Sequence, residues 1–198
     1  MSLSQHRLTR RGLFTAAAGV AGASLLPATG AHAAGTVDYP AAHWVPADSS
    51  NFTVSSRPSS YPIDYVVIHV TQEYFADAVD IFQDPSSDVS IHYLVRSADG
   101  YVDQLVREHD IAWHAGNWDY NTRSIGIEHE GWVDDPSWFT ANMYHASAAL
   151  TRAVCDRYGV PIDRNHIIGH YEVPGTDHTD PGPYFDWQRY LRLVNMAG

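Results

Sequence analysis

The sequence contains no lysine: all twelve of its fixed cationic side chains are arginines, set against twenty-three carboxylates, for a formal charge of −11 at pH 7. A chain this acidic offers no basic footprint to a polyanion, which excludes nucleic acid and anionic membrane as its main partner. Cysteine is nearly absent as well, with Cys155 alone in the chain, so there is no intramolecular disulfide and no CxxC metal or redox pair. Cys155 falls inside an apolar helical pattern and reads as a buried thiol rather than a nucleophile. HExxH is missing, so no metal motif specific by itself is present. The apolar run from Gly12 to Leu26 is too short and too rich in Ala and Gly for a membrane span.

That run belongs to a front segment, residues 1–34, which holds Arg7, Arg10 and Arg11 but no acid and closes on AHAA. A basic start, an apolar stretch and a small-x-small end are the marks of an export signal. The tandem arginines of TRRGLF (9–14) match the twin-arginine type. The expectation is a secreted, extracellular protein with no membrane span in its mature form. Loss of residues 1–34 removes three arginines, taking the charge from −11 to −11 − 3 = −14.

Residues 35–62, rich in Pro, Ser and Ala with scattered aromatics, read as an extended lead-in to the domain at 63–198. There YVVIHV (65–70) reads as a central strand covered on both faces. Residues 73–83 carry apolar side chains at helical spacing. SIHYLVR (90–96) and YVDQLV (101–106) flank SADG as a hairpin, and SIGIEHE (124–130) is a further strand. A long helix is expected over 139–158, stopped by Gly159 and Pro161, then the apolar HIIGH (166–170), then a closing helix at 186–194. The sum is α/β: a single compact domain with a central mixed sheet flanked by helices. No repeat is seen, and a monomer without a separate wall-binding module is expected.

Chemistry concentrates in GHYEVPGTDHTDPG (169–182), which places His170, Glu172, Asp177, His178 and Asp180 on turns stiffened by Pro and Gly. His69 interrupts an apolar strand at its carboxyl end, where α/β sheets place their ligand crevices, and His170 ends a second apolar segment. Imidazole and carboxylate suit zinc, and a catalytic zinc keeps three protein ligands. His69 and His170 supply two; Glu172, Asp177, His178 or Asp180 supplies the third, with Asp180 pre-organised by Pro181-Gly182-Pro183. In SIGIEHE, alternation sets Gly126, Glu128 and Glu130 on one face and Ile125, Ile127 and His129 on the other. Glu128 is thus a candidate general base, while Glu130 also fits a solvent-facing strand side.

Five blocks, VVIHVT (66–71), HYLVRSADG (92–100), AWHAGN (112–117), NTRSIGIEHEG (121–131) and GHYEVPGTDHTDPGPYFDW (169–187), stand in the order found in amidase-2 domains. Over residues 60–195 the chain resembles these zinc-dependent N-acetylmuramoyl-L-alanine amidases and the related peptidoglycan recognition proteins. The resemblance implies Zn²⁺ held by His69, His170 and Asp180, with Glu128 as base and peptidoglycan or a muropeptide as substrate. It places His114 in the substrate groove. Many relatives carry a catalytic tyrosine where this chain has Ile91, which leaves the base role with Glu128. Many also carry a lysine two residues before the last ligand, where His178 stands here. An imidazolium can support an oxyanion, but its charge depends on pH near neutrality; His178 as a further metal ligand is the other reading. The resemblance also covers proteins that bind muropeptides without cleaving them, having lost a zinc ligand, whereas all three ligand positions are filled here. A glycosidase with two opposed carboxylates would leave both histidines without a role.

Overall fold

YVVIHV is buried at every position but its first, as a strand covered on both faces must be. The computed structural model describes residues 37–198; the export signal expected at 1–34 lies outside them. The strands are β1 (His43–Trp44), β2 (Phe52–Thr53), β3 (Tyr65–Val70), β4 (Tyr93–Val95), β5 (Val102–Gln104), β6 (Ile111–Ala112), β7 (Ser124–His129) and β8 (Ile167–Gly169). The helices are α1 (Phe75–Gln83), α2 (Trp118–Arg123), α3 (Ala141–Tyr158) and α4 (Trp187–Met196). Six strands form one mixed sheet in the order β1-β5-β4-β7-β3-β8, and β2 pairs with β6 apart from it. β3 runs parallel to both β7 and β8; the expected hairpin is the antiparallel pair β4–β5.

Strand alternation divides the side chains between two layers. Val66, Ile68, Ile125 and Ile127 meet Met143, Leu150 and Val154 of α3 and Tyr190 and Val194 of α4 in one cluster. Each such fully buried apolar side chain contributes about 1.5–3 kcal/mol relative to exposure. On the opposite side α1 buries Ala78 and Phe82 against Ile91, Leu94 and Leu105. Thr140 caps α3 by accepting from the Met143 N–H, and Gly159 ends it at φ 73°, a conformation glycine adopts without a Cβ penalty. Cys155 is buried within α3, and burial pushes its thiol up to about 12, so it is no nucleophile near neutrality.

The helix expected from residue 73 begins at Phe75, because Tyr74 is still extended and the Phe75 N–H is taken by Glu130 Oε1 at 3.0 Å. Residues 37–62 are drawn into the structure: β1 adds to the sheet edge at β5, and β2 pairs with β6. Among the described residues, no helix is long and apolar enough to cross a membrane.

Candidate active site

The parallel register of β3 and β7 sets His69 directly beside Glu128 at the carboxyl ends of both strands. Both side chains fall on the sheet face away from α3, together with Ser124 and Gly126 of β7. On the other face His129 reaches α3, where its Nε2 lies 2.7 Å from Ser147 Oγ. Its Nδ1–H donates to the His69 carbonyl at 2.8 Å, which fixes the backbone that carries His69.

β8 runs parallel on the other side of β3 and delivers His170 one residue past its end. The loop then returns, and the Tyr171 N–H donates to the Asp180 carbonyl at 3.1 Å, tying the two ends of the acid-rich segment together. His69, His170 and Asp180 each present a donor atom, all within 4.8 Å of one another, and all three residues are buried. The Asp180 carboxylate lies 3.3 Å from His69 Nδ1 and 3.1 Å from His170 Nδ1. Burial alone would raise the Asp180 carboxyl, but the hydrogen bond from His170 leads the effects that hold it well below the usual carboxylate range. Burial pushes the His69 imidazole down to about 4, so it is neutral at physiological pH. His170 Nε2 is buried without a hydrogen-bond partner. Two imidazoles and one carboxylate converging in a buried pocket form a donor set that suits zinc.

The two carboxylates of the cleft-facing strand edge differ in their bonding. Glu130 does not face solvent: it is buried and accepts from the Phe75 N–H and from the Ser97 N–H at 2.9 Å. Glu128 is also buried, but no side-chain hydrogen bond engages it among the described residues. Burial, then the neighbouring Asp180 charge, raises its carboxyl well above the usual range, the environment that turns a carboxylate into a proton acceptor near neutrality. Ile91 is fully buried, and Tyr93 donates its hydroxyl to Glu108 Oε1 at 2.6 Å, so neither offers a base to the cleft.

His178 is the exposed member of the cluster. It stacks on His170 with ring centroids 4.1 Å apart, and its Nδ1 lies 3.4 Å from Asp180 Oδ1 with 59% of the side chain accessible. His69, His114, Glu128, His170, His178 and Asp180 all line one cleft of about 960 Å³. His114 stands at its inner wall with Nδ1 2.9 Å from His69 Nε2. Glu172 is engaged elsewhere, accepting from the Gly169 N–H at 2.8 Å and pairing with Arg164. Arg123 pairs with Asp64 at 2.8 Å and Asp119 at 3.1 Å, outside the cleft, and Asn121 Oδ1 accepts from the backbone of His114 and Ala115. The residue that sequence reasoning passed over is Ser124, which touches His114; the alternation that selected Glu128 also places Ser124 on the cleft face.

The family model of N-acetylmuramoyl-L-alanine amidase matches residues 59–183. Among characterised proteins, N-acetylmuramoyl-L-alanine amidase A of Achromobacter lyticus is 39% identical over 179 residues, covering 82% of this chain and 98% of that one. The crystal structure of an AmpD selenomethionine derivative superposes with a TM-score of 0.65 at 31% identity, covering 80% of this chain and 99% of that one. AmiD from Escherichia coli, solved with anhydro-N-acetylmuramic acid-L-Ala-D-gamma-Glu-L-Lys, gives 0.58 at 28% identity, covering 69% and 59%. By these matches, and by the histidine and carboxylate cluster at its strand ends, the chain belongs to the N-acetylmuramoyl-L-alanine amidase family.

Proposed function

We propose that this protein hydrolyses the amide between the lactyl group of N-acetylmuramic acid and the L-alanine that opens the peptidoglycan stem peptide. The observation that carries the reading is the buried meeting of His69, His170 and Asp180 beside the unbonded Glu128 on the neighbouring strand. Those three residues would hold zinc, which would supply Lewis-acid activation of water and of the scissile carbonyl. Glu128 takes the proton of the attacking water and returns it to the departing alanine amine. His178, above His170 and open to the cleft, donates to the developing oxyanion, a contribution of about 3–4 kcal/mol for a good donor. Its exposure and its place over the ligands favour this over a fourth ligand role.

A module that only binds muropeptides needs no intact ligand set and no desolvated carboxylate without a partner, so the hydrolase is preferred. The tandem arginines near the start support export, by the twin-arginine type of signal, to the compartment where peptidoglycan lies. The test uses residues 35–198 loaded with zinc on purified peptidoglycan, with new alanine amines and new reducing sugar ends followed separately, with and without a chelator. Alanine amines that appear only with the metal, without reducing ends, are expected. Binding without cleavage would assign the chain to the recognition class.

A further inference from the structure

His114 has both ring nitrogens engaged, and the chain of contacts through it has one consistent direction. At one end, the Ser124 hydroxyl donates to the Tyr120 carbonyl at 2.6 Å, and a carbonyl can only accept. With its single proton spent there, Ser124 Oγ offers lone pairs to His114 Nε2 at 3.1 Å, so Nε2 carries the ring proton. With the one proton of a neutral imidazole on Nε2, the Nδ1 of His114 is an acceptor. His69 Nε2, 2.9 Å away, must therefore be the donor. A neutral His69 then has no proton left for Nδ1, which faces Asp180 Oδ2 at 3.3 Å. Lone pair faces carboxylate there, an arrangement that a cation between them makes favourable.

Resting on the zinc reading above, we infer that His114 is a positioning residue: a fixed relay of hydrogen bonds, donated from His69 to His114, from His114 to Ser124 and from Ser124 to the Tyr120 carbonyl, locks His69 in the Nε2–H tautomer and aims its Nδ1 lone pair at the metal. The fold provides a seat for it. A Cβ on Gly126 would lie 2.7 Å from both Cγ and Nδ1 of His114 and 2.6 Å from Ile91 Cδ1, closer than packed atoms approach. The glycine of SIGIE thus leaves the space in which the imidazole lies against the strand. Asn121 holds the other side, its Oδ1 accepting from the His114 N–H at 3.1 Å and the Ala115 N–H at 2.7 Å. An outer partner that orients a ligating histidine typically affects metal affinity by about 10- to 100-fold.

The test compares His114→Leu with His114→Asn, whose Oδ1 keeps an acceptor near the position of Nδ1, and reads zinc affinity by competition with a chelating dye. His114→Leu is expected to weaken zinc binding by about 10- to 100-fold, and His114→Asn to stay within about threefold of the unaltered chain. Equal weakening by both would mean packing only, and unchanged affinity with a raised KM would make His114 a substrate contact; either overturns the relay. Long-range nitrogen–proton spectra of the unaltered, chelator-treated protein judge the relay without metal or mutation. Nε2–H on both His69 and His114 is expected, and an Nδ1–H tautomer at His114 overturns it. If the unaltered chain takes up no zinc, it is the metal reading that fails, and the spectra still decide the tautomers.

Discussion

Glu128 accepts a proton and His178 donates a hydrogen bond, and each role can be tested as a single residue. For Glu128 the folded pKa lies above the unfolded one, so the stability linked to its protonated form is complete below the ordinary carboxylate range and is lost as pH rises through the folded value. Glu128→Gln keeps the shape and removes the ionisation. Chelator-treated Glu128→Gln is therefore expected to melt above the unaltered protein at neutral pH, with the gap closing on acidification towards the ordinary carboxylate range. The same substitution should lower kcat by about 10²- to 10⁴-fold, the usual worth of a general base. A melting point lower than the parent's at neutral pH would show that Glu128 is a structural acceptor. For His178 the role to test is that of hydrogen-bond donor to the oxyanion. His178→Ala should lower kcat by about 10²- to 10³-fold, and His178→Lys, which keeps a donor there, should retain more activity than the alanine variant. An unchanged rate in the alanine variant would remove His178 from the chemistry.

At the scale of elements, the cleft depends on how α1 is attached to the sheet. Glu130, one residue past β7, accepts from the Phe75 N–H in the first turn of α1 and from Ser97 after β4, joining three elements through one carboxylate. Glu130→Ala leaves two backbone donors without a partner, at about 1–3 kcal/mol each, and thermal unfolding should register the loss while zinc affinity stays near that of the parent. The sequence made β3, β7 and α3 legible because their apolar periods are long, and the face of β7 that holds Glu128 follows from alternation alone. It could not separate Glu128 from Glu130, since both share that face; the difference lies in which backbone N–H groups arrive from distant segments. Likewise His170 and Asp180 were legible as candidate ligands on one turn, but the contact of His114 with His69 was not, because it joins segments distant in sequence. The two-residue strands β1, β2 and β6 are too short to show any period.

At the scale of the whole molecule, the boundary of the folded unit lies well before the strand that opens the catalytic sheet. Arg57 is buried and spreads its guanidinium over five backbone carbonyls: Asn121 at 3.3 Å, Thr122 at 3.1 Å and Ser124 at 2.7 Å from one nitrogen, Glu108 at 2.8 Å and Asp110 from the other. Three of those carbonyls belong to the segment that leads into β7, so a residue of the lead-in organises the approach to the cleft. Further forward, Asp38 Oδ2 accepts from the Glu108 N–H at 3.0 Å, and β1 covers the edge of β5. Lysine in place of Arg57 has one compact ammonium and cannot serve both groups of carbonyls. Arg57→Lys should therefore cost several kcal/mol, about 1–3 for each buried acceptor left unpaired, and Arg57→Ala at least as much. Cutting the chain back to residues 63–198 removes Arg57, Asp38, β1 and β2 together and exposes the unpaired edge of β5, a template for association between chains. The expected outcome is a piece that aggregates or melts far below residues 35–198 in circular dichroism and loses zinc affinity with it, because the support for β7 is gone. A 63–198 piece that melts with the parent and keeps its zinc would show that the lead-in only lies on a domain already complete without it.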